Sequence, residues 1–196
     1  MAAASGFPDL MTVLVNIGEV IPPFLSMLQI IAGVAGLYLT AAALVEMWGV
    51  SHDGAMKYVS GKNRFSWGSA LIQMVIGSLL IAMSTMEIVG ILSRTLTENY
   101  ANSKMLSYSG GTASSFAEKA KMATMALLGI MQVVGFIAMF KGWLTVNRYY
   151  NGQSQAGLGQ AAGWLIGGIV AWNFKWFADM LNNTLGFNII GLFTPF

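Results

Sequence analysis

The chain has 196 residues, of which 56% are hydrophobic and 9% charged, with a net charge of +2 and no cysteine. A soluble domain carries about 25% charged and about 45–50% apolar residues, so a soluble core cannot absorb this excess, whereas a lipid bilayer can. The small net charge and the scattered basic residues give no footing for direct nucleic-acid binding, and without cysteine there is neither a disulfide framework nor thiolate chemistry.

In chain order, residues 1–20 hold no Lys or Arg, and Ala2, Ala3 and Ala4 precede the first apolar run. A signal peptide has a positive start and small residues after its apolar run, so this is not its pattern. After Asp9, the residues Leu10, Val13, Leu14, Ile17, Val20 and Ile21 trace one apolar stripe. That spacing predicts an amphipathic helix lying in the membrane interface. Pro22 and Pro23 suit the first turn of a new helix, where the missing N–H is not needed.

A spanning helix needs about 20 apolar residues. Uncharged runs at Phe24–Val45, Phe65–Met86, Met122–Phe140 and Tyr149–Phe174 meet or approach this length, although the last opens on polar residues. They predict four transmembrane helices, near 23–48, 66–92, 119–145 and 158–181. Ser115 with Glu118 three residues on reads as a capping box for the third. The fold expected is an all-α integral membrane protein of one domain. It would comprise hairpin one at about 23–92, an exported loop at 93–117, hairpin two at 118–181 and an apolar tail at 182–196.

The two halves resemble each other. Helix one set against helix three at a spacing of 99 residues aligns Leu28 with Leu127, Ile31 with Ile130, Val34 with Val133 and Gly36 with Gly135. Helix two set against helix four at a spacing of 91 aligns Gly68 with Gly159, Ala70 with Ala161 and Gly77 with Gly168. Internal repeats are frequent in membrane proteins, and short apolar alphabets also match by chance. Both readings stay open here.

Lys57, Lys62, Arg64, Lys141 and Arg148 gather at the two hairpin loops, against Arg94, Lys104, Lys119 and Lys121 around the middle loop. The termini hold no basic residue outside the helices. The positive-inside rule then places the hairpin loops in the cytoplasm and both termini outside. Trp48, Trp67, Trp143, Tyr149 and Tyr150 would form an aromatic belt at the cytoplasmic interface.

Gly159, Gly163 and Gly167 form a tandem G-x-x-x-G, the pattern that lets two backbones approach in lipid. It does not say whether the partner helix lies in this chain or another. Glu46, Glu87, Lys175 and Asp179 lie within or at the rims of the spans, and intramembrane charge is a functional hypothesis by default. Each also sits within about three turns of a helix end, where pairing or snorkelling suffices. Lys175 and Asp179, four apart, are expected to pair. His52 stands beside Asp53 with no cluster that would hold a metal. The fourteen Met residues read as packing. No nucleotide-binding or hydrolase motif occurs, so no enzyme and no cofactor is expected.

With its two Gly-rich hairpins, the middle segment Ser107–Ser115 and the apolar tail, the chain from about Pro8 to Phe196 resembles the DotE/IcmC inner-membrane proteins of Dot/Icm type IVB secretion systems and their TraQ relatives of IncI conjugation. The resemblance is one of overall profile. It implies a non-enzymatic structural subunit of a bacterial machine that moves DNA or effector proteins, partnered by other secretion-system membrane subunits, by itself and by the lipid bilayer. Each hairpin is also similar in architecture to the small pilins of type IV secretion, which implies a tandem pilin-like duplication. The competing expectation is a free-standing small transporter or holin-like pore, which should show broken helices and polar residues at the midplane. Gln73 and Gln132 are the exceptions to apolar helix centres.

Overall fold

The computed structural model describes residues 10–52, 67–98, 116–152 and 157–186. Among these residues every regular element is helical: α1 Leu10–Ser51, α2 Trp67–Ser84, α3 Glu87–Thr97, α4 Phe116–Tyr150, α5 Leu158–Trp172 and α6 Phe174–Leu185. Three helices, over Thr12–Ser51, Trp67–Ser84 and Glu118–Tyr150, are long and apolar enough to cross a membrane, while the apolar α5 is shorter. The capping Ser115, the Ser107–Ser115 segment, the lysines of the first hairpin loop and the tail from residue 187 lie outside the described residues.

The expected interfacial helix followed by a new start at residue 23 is corrected. α1 is one helix of 42 residues with Pro22 and Pro23 inside it, about 63 Å long at 1.5 Å per residue. The two rings remove only the donors that would reach the carbonyls of Gly18 and Glu19. The Ser26 hydroxyl donates to the Pro22 carbonyl at 3.1 Å. Of the stripe before the prolines, Ile21 packs on Gly129 of α4, while Leu10, Ile17 and Val20 stay exposed. Ile17, Val20, Ile21 and Phe24 line an open, apolar groove of about 190 Å³ with Ile130 and Val133 of α4.

The second expected helix is broken as well. α2 ends at Ser84 and α3 begins at Glu87. Between them Met86 is left-handed, with φ of 65°, a conformation costing a non-glycine residue about 1–3 kcal/mol. The fourth expected helix divides at Asn173 into α5 and α6. Each hairpin therefore ends in a short helix. α3 closes on a left-handed Glu98, and α6 on Gly186 with φ of 69°.

The core lies where the hairpins meet. Leu25, Ala32 and Leu39 of α1, Ile76, Leu80 and Met83 of α2, Val89 of α3, and Phe136 and Met139 of α4 are buried in one cluster, with Trp172 of α5. Long apolar side chains elsewhere on α1, among them Ile30, Val34, Leu37 and Leu44, are exposed.

Candidate functional site: two helix crossings and the faces they leave open

Within each hairpin the helices touch backbone to backbone through one glycine apiece. A methyl carbon placed on Gly36 would lie 2.7 Å from the Gly77 carbonyl oxygen and 2.8 Å from the Ile81 nitrogen. One placed on Gly77 would meet the Gly36 carbonyl and the Thr40 nitrogen, both at 2.9 Å, as well as the Thr40 hydroxyl. In the second hairpin a methyl on Gly135 would sit 2.6 Å from both the Gly168 carbonyl and the Trp172 nitrogen. One on Gly168 would meet the Gly135 carbonyl and the Met139 nitrogen, both at 2.8 Å. In both hairpins each glycine faces its partner's carbonyl and the amide one turn beyond it. In lipid, where no hydrophobic force draws helices together, such close approach supplies the van der Waals contact that does.

These pairs occupy corresponding positions of the two halves: Gly36 and Gly135 are 99 residues apart, Gly77 and Gly168 are 91. Ser51 and Tyr150, which end α1 and α4, are also 99 residues apart, whereas Ser84 and Trp172, which end α2 and α5, are 88 apart. The likeness stops at the breaks, because Met86 and Asn173 do not correspond.

Between hairpins the register differs. Ile21 packs on Gly129, with its Cδ1 3.0 Å from a methyl built there, which is 108 positions along the chain. The Ser69 hydroxyl donates to Asn151 Oδ1 at 2.9 Å, and Ser69 lies opposite the Leu44 region of α1 by the Gly36–Gly77 register. α1 and α4 therefore run in the same direction, with α4 slid about nine residues, or about 13 Å, from the position a simple side-by-side repeat would give it. At the other end the Asn173 amide donates to Ser93 Oγ at 2.9 Å.

The singled-out glycines are elsewhere. Gly159, Gly163 and Gly167 are exposed, and among the described residues nothing lies within 4 Å of a methyl built on them. The chain's own crossing on α5 uses Gly168, one residue round the helix. Leu165 lies against Gly142 of α4.

The charges are dispersed. Glu46 is buried near the end of α1. Glu87 is exposed in the first turn of α3, where a carboxylate complements the helix dipole. Lys175 and Asp179 are both exposed on α6, and among the described residues no ion pair joins them. Trp48, Trp67, Tyr149 and Tyr150 are exposed, but Trp143 turns inward against the core, so the expected belt loses one member. The sequence reading missed two contacts. The Lys141 ammonium sits 4.0 Å over the Trp164 ring, a cation–π contact between α4 and α5. His52 accepts from Trp48 Nε1 at 3.3 Å, across one turn. Among the described residues no three His, Cys, Asp or Glu side chains come together.

Comparison with family models, curated proteins and solved structures finds no match.

Proposed function

We propose that this chain is a non-enzymatic structural subunit of a type IVB secretion or conjugation apparatus, built as a tandem duplication of a pilin-like hairpin in the bacterial inner membrane. The observation that carries this reading is the correspondence of the crossings Gly36–Gly77 and Gly135–Gly168. In both crossings each glycine meets the partner glycine's carbonyl and the amide one turn beyond it, which supports repetition of one packing unit. A protein built by repeating a packing unit, with its core filled by side chains, is suited to assembly rather than to turnover. The hairpin loops face the cytoplasm and both termini the periplasm, as the basic residues indicate. Other membrane subunits of the machine and further copies of the chain are its partners, with Gly159, Gly163 and Gly167 offering a close-packing face.

The transporter or pore reading gains from the helix breaks at Met86 and Asn173, since broken helices are typical of transporters. It loses on what fills the interior. The breaks fall at the ends of the apolar spans, and the middle is occupied by Leu25, Ile76, Leu80, Met83 and Phe136, all nearly inaccessible.

The test is deletion of the gene in a strain carrying such an apparatus, with complementation by a tagged copy. Transfer should fall by orders of magnitude, and the tagged chain should copurify with other membrane subunits of the apparatus. Normal transfer together with solute or ion flux through proteoliposomes of the pure chain would replace this reading by the pore.

A further inference from the structure

We infer that Lys141 is an intersubunit pairing site within the bilayer, held by Trp164 to take the carboxylate of an Asp or Glu on a transmembrane helix of a different membrane subunit. This rests on the reading that the chain assembles with other membrane proteins, and it adds the chemistry and the depth of the contact.

The sequence groups Lys141 with the second hairpin loop, but the fold sets it deeper. Ile21 packs on Gly129, and α1 and α4 run in the same direction, so twelve residues further along each helix Lys141 stands level with Gly33. Gly33 is near the middle of the uncharged run Phe24–Val45. A second contact agrees. Ser69 bonds to Asn151, and α2 runs against α4, so ten residues along each helix Lys141 stands level with Leu79, inside the run Phe65–Met86. Lys141 is exposed, on one stripe of α4 with the exposed Val134 and Ile137. Its ammonium therefore lies at mid-span on the outer surface, among apolar side chains.

Lipid headgroups are out of its reach. Lys141 is nine residues from Tyr150, the near end of α4, about 13 Å, which is farther than a lysine side chain extends. Helical side chains lean towards the N-terminus of their helix, and for Lys141 that direction is away from Tyr150. The ammonium accordingly lies 4.0 Å over the Trp164 ring, between α4 and α5. A ring face positions a cation but does not neutralise it. Among the described residues no ion pair joins Lys141 to an acid. Arg148, two turns on, differs in having the helix end beside it.

Charges inside a membrane pair with one another, and the acids described in this chain are not at the depth of Lys141. Glu87 is eight residues from Leu79, about 12 Å, and Glu19 is fourteen from Gly33, about 21 Å. Glu46 is thirteen from Gly33 and buried. Glu98, Glu118 and Asp179 are farther along their helices than Glu87. A second copy in the same membrane carries its acids at the same depths as the first. The occupant that charge complementarity selects is therefore a different subunit, with a carboxylate near the middle of its span.

The experiment uses the tagged full chain in a strain carrying the apparatus. Lys141→Met, close in length and uncharged, should lower copurification of the apparatus's membrane subunits at least tenfold. The amount of chain in the membrane and its unfolding in detergent should stay unchanged, and Lys141→Arg should keep copurification. Lys141→Glu should abolish transfer, and selected suppressors should change an Asp or Glu within a transmembrane span of one subunit to Lys or Arg. Full copurification with Lys141→Met, or suppressors that never touch a transmembrane acid, overturns the pairing. Loss of retained phosphatidylglycerol from the purified Lys141→Met chain, read by native mass spectrometry, overturns it too, since the anion is then a lipid phosphate. The outcome is separable from the function proposed above. Loss of transfer on deletion of the gene, with normal copurification for Lys141→Met, would leave the secretion subunit standing and end this inference. A subunit lost with Lys141→Glu and regained by exchange of its own transmembrane acid, in cells whose transfer survives the deletion, would do the reverse.

Discussion

Asn173 interrupts the last apolar helix and hydrogen-bonds to Ser93, the two buried groups meeting at 2.9 Å. The same amide also donates to the Ile169 carbonyl at 3.0 Å. One side chain thus serves the break in its own hairpin and ties that hairpin to the terminal helix of the other. Asn173→Ala should lower stability by about 1–3 kcal/mol, the cost of leaving a buried partner unsatisfied. In a double-mutant cycle with Ser93→Ala, measured by denaturant titration in detergent, the two losses should be markedly less than additive. Full additivity would mean that the bond contributes nothing.

The proposed topology rests on the basic residues. Alkaline phosphatase fused after Phe196 should be active in a Gram-negative host, and the same reporter at Gly61 inactive. The opposite pattern would invert the orientation.

Lys175 and Asp179 share a face of α6 one turn apart, and both are exposed. Among the described residues no ion pair joins them, and even a formed pair at the surface contributes little. Exchanging the two residues should therefore preserve assembly, and alanine at either should cost little stability. A loss of transfer on either single change, with the chain still folded, would instead mark the residue as a contact to a partner.

Which parts of this fold were legible in the sequence depends on what kind of signal each left. Long uncharged runs announce apolar helices, and the alignment at spacings of 99 and 91 set Gly36 with Gly135 and Gly77 with Gly168, but nothing in it said that Gly36 would meet Gly77 or Gly135 meet Gly168. The prolines misled. Pro22-Pro23 is a good helix start, but it also sits inside a helix when the residues on both sides have a neighbour to pack against, as Ile21 has in Gly129 of α4 and Leu25 has in the core. The break at Met86 left no trace, because a left-handed methionine is not a residue type that marks a turn. Asn173 left a faint one, since a lone asparagine in an apolar run asks for a partner. The G-x-x-x-G motif drew attention to Gly159, Gly163 and Gly167, while the crossing within the chain uses Gly168. A motif gives spacing along one helix, and the position of the partner decides which of two adjacent glycine rows is used.

That separation makes the two rows distinguishable by mutation. Gly135 and Gly168 should be intolerant of any side chain. Even the methyl of Gly135→Ala would stand 2.6 Å from a backbone oxygen and a backbone nitrogen, and backbone cannot move aside as a side-chain tip can. The helices must separate, and because helix association in lipid depends on that contact, the loss is not recovered elsewhere. A cost of about 1–3 kcal/mol is expected, typical of overpacking. Gly36→Ala and Gly77→Ala should cost a similar amount, since a methyl there also meets the partner glycine's carbonyl and a backbone nitrogen within 3 Å. Gly163→Ala meets nothing within 4 Å and should leave unfolding unchanged or slightly improve it, alanine being the better helix former. Leu165 is a poor control because it packs on Gly142; the exposed Ile166→Leu is a better one. The measurement is unfolding of each purified variant in mild detergent on titration with a denaturing one, followed by helical circular dichroism. Equal losses at Gly135 and Gly163 would mean that the chain packs through both rows. Loss at Gly163 alone would move the crossing to the G-x-x-x-G face and remove the correspondence between hairpins on which the duplication rests.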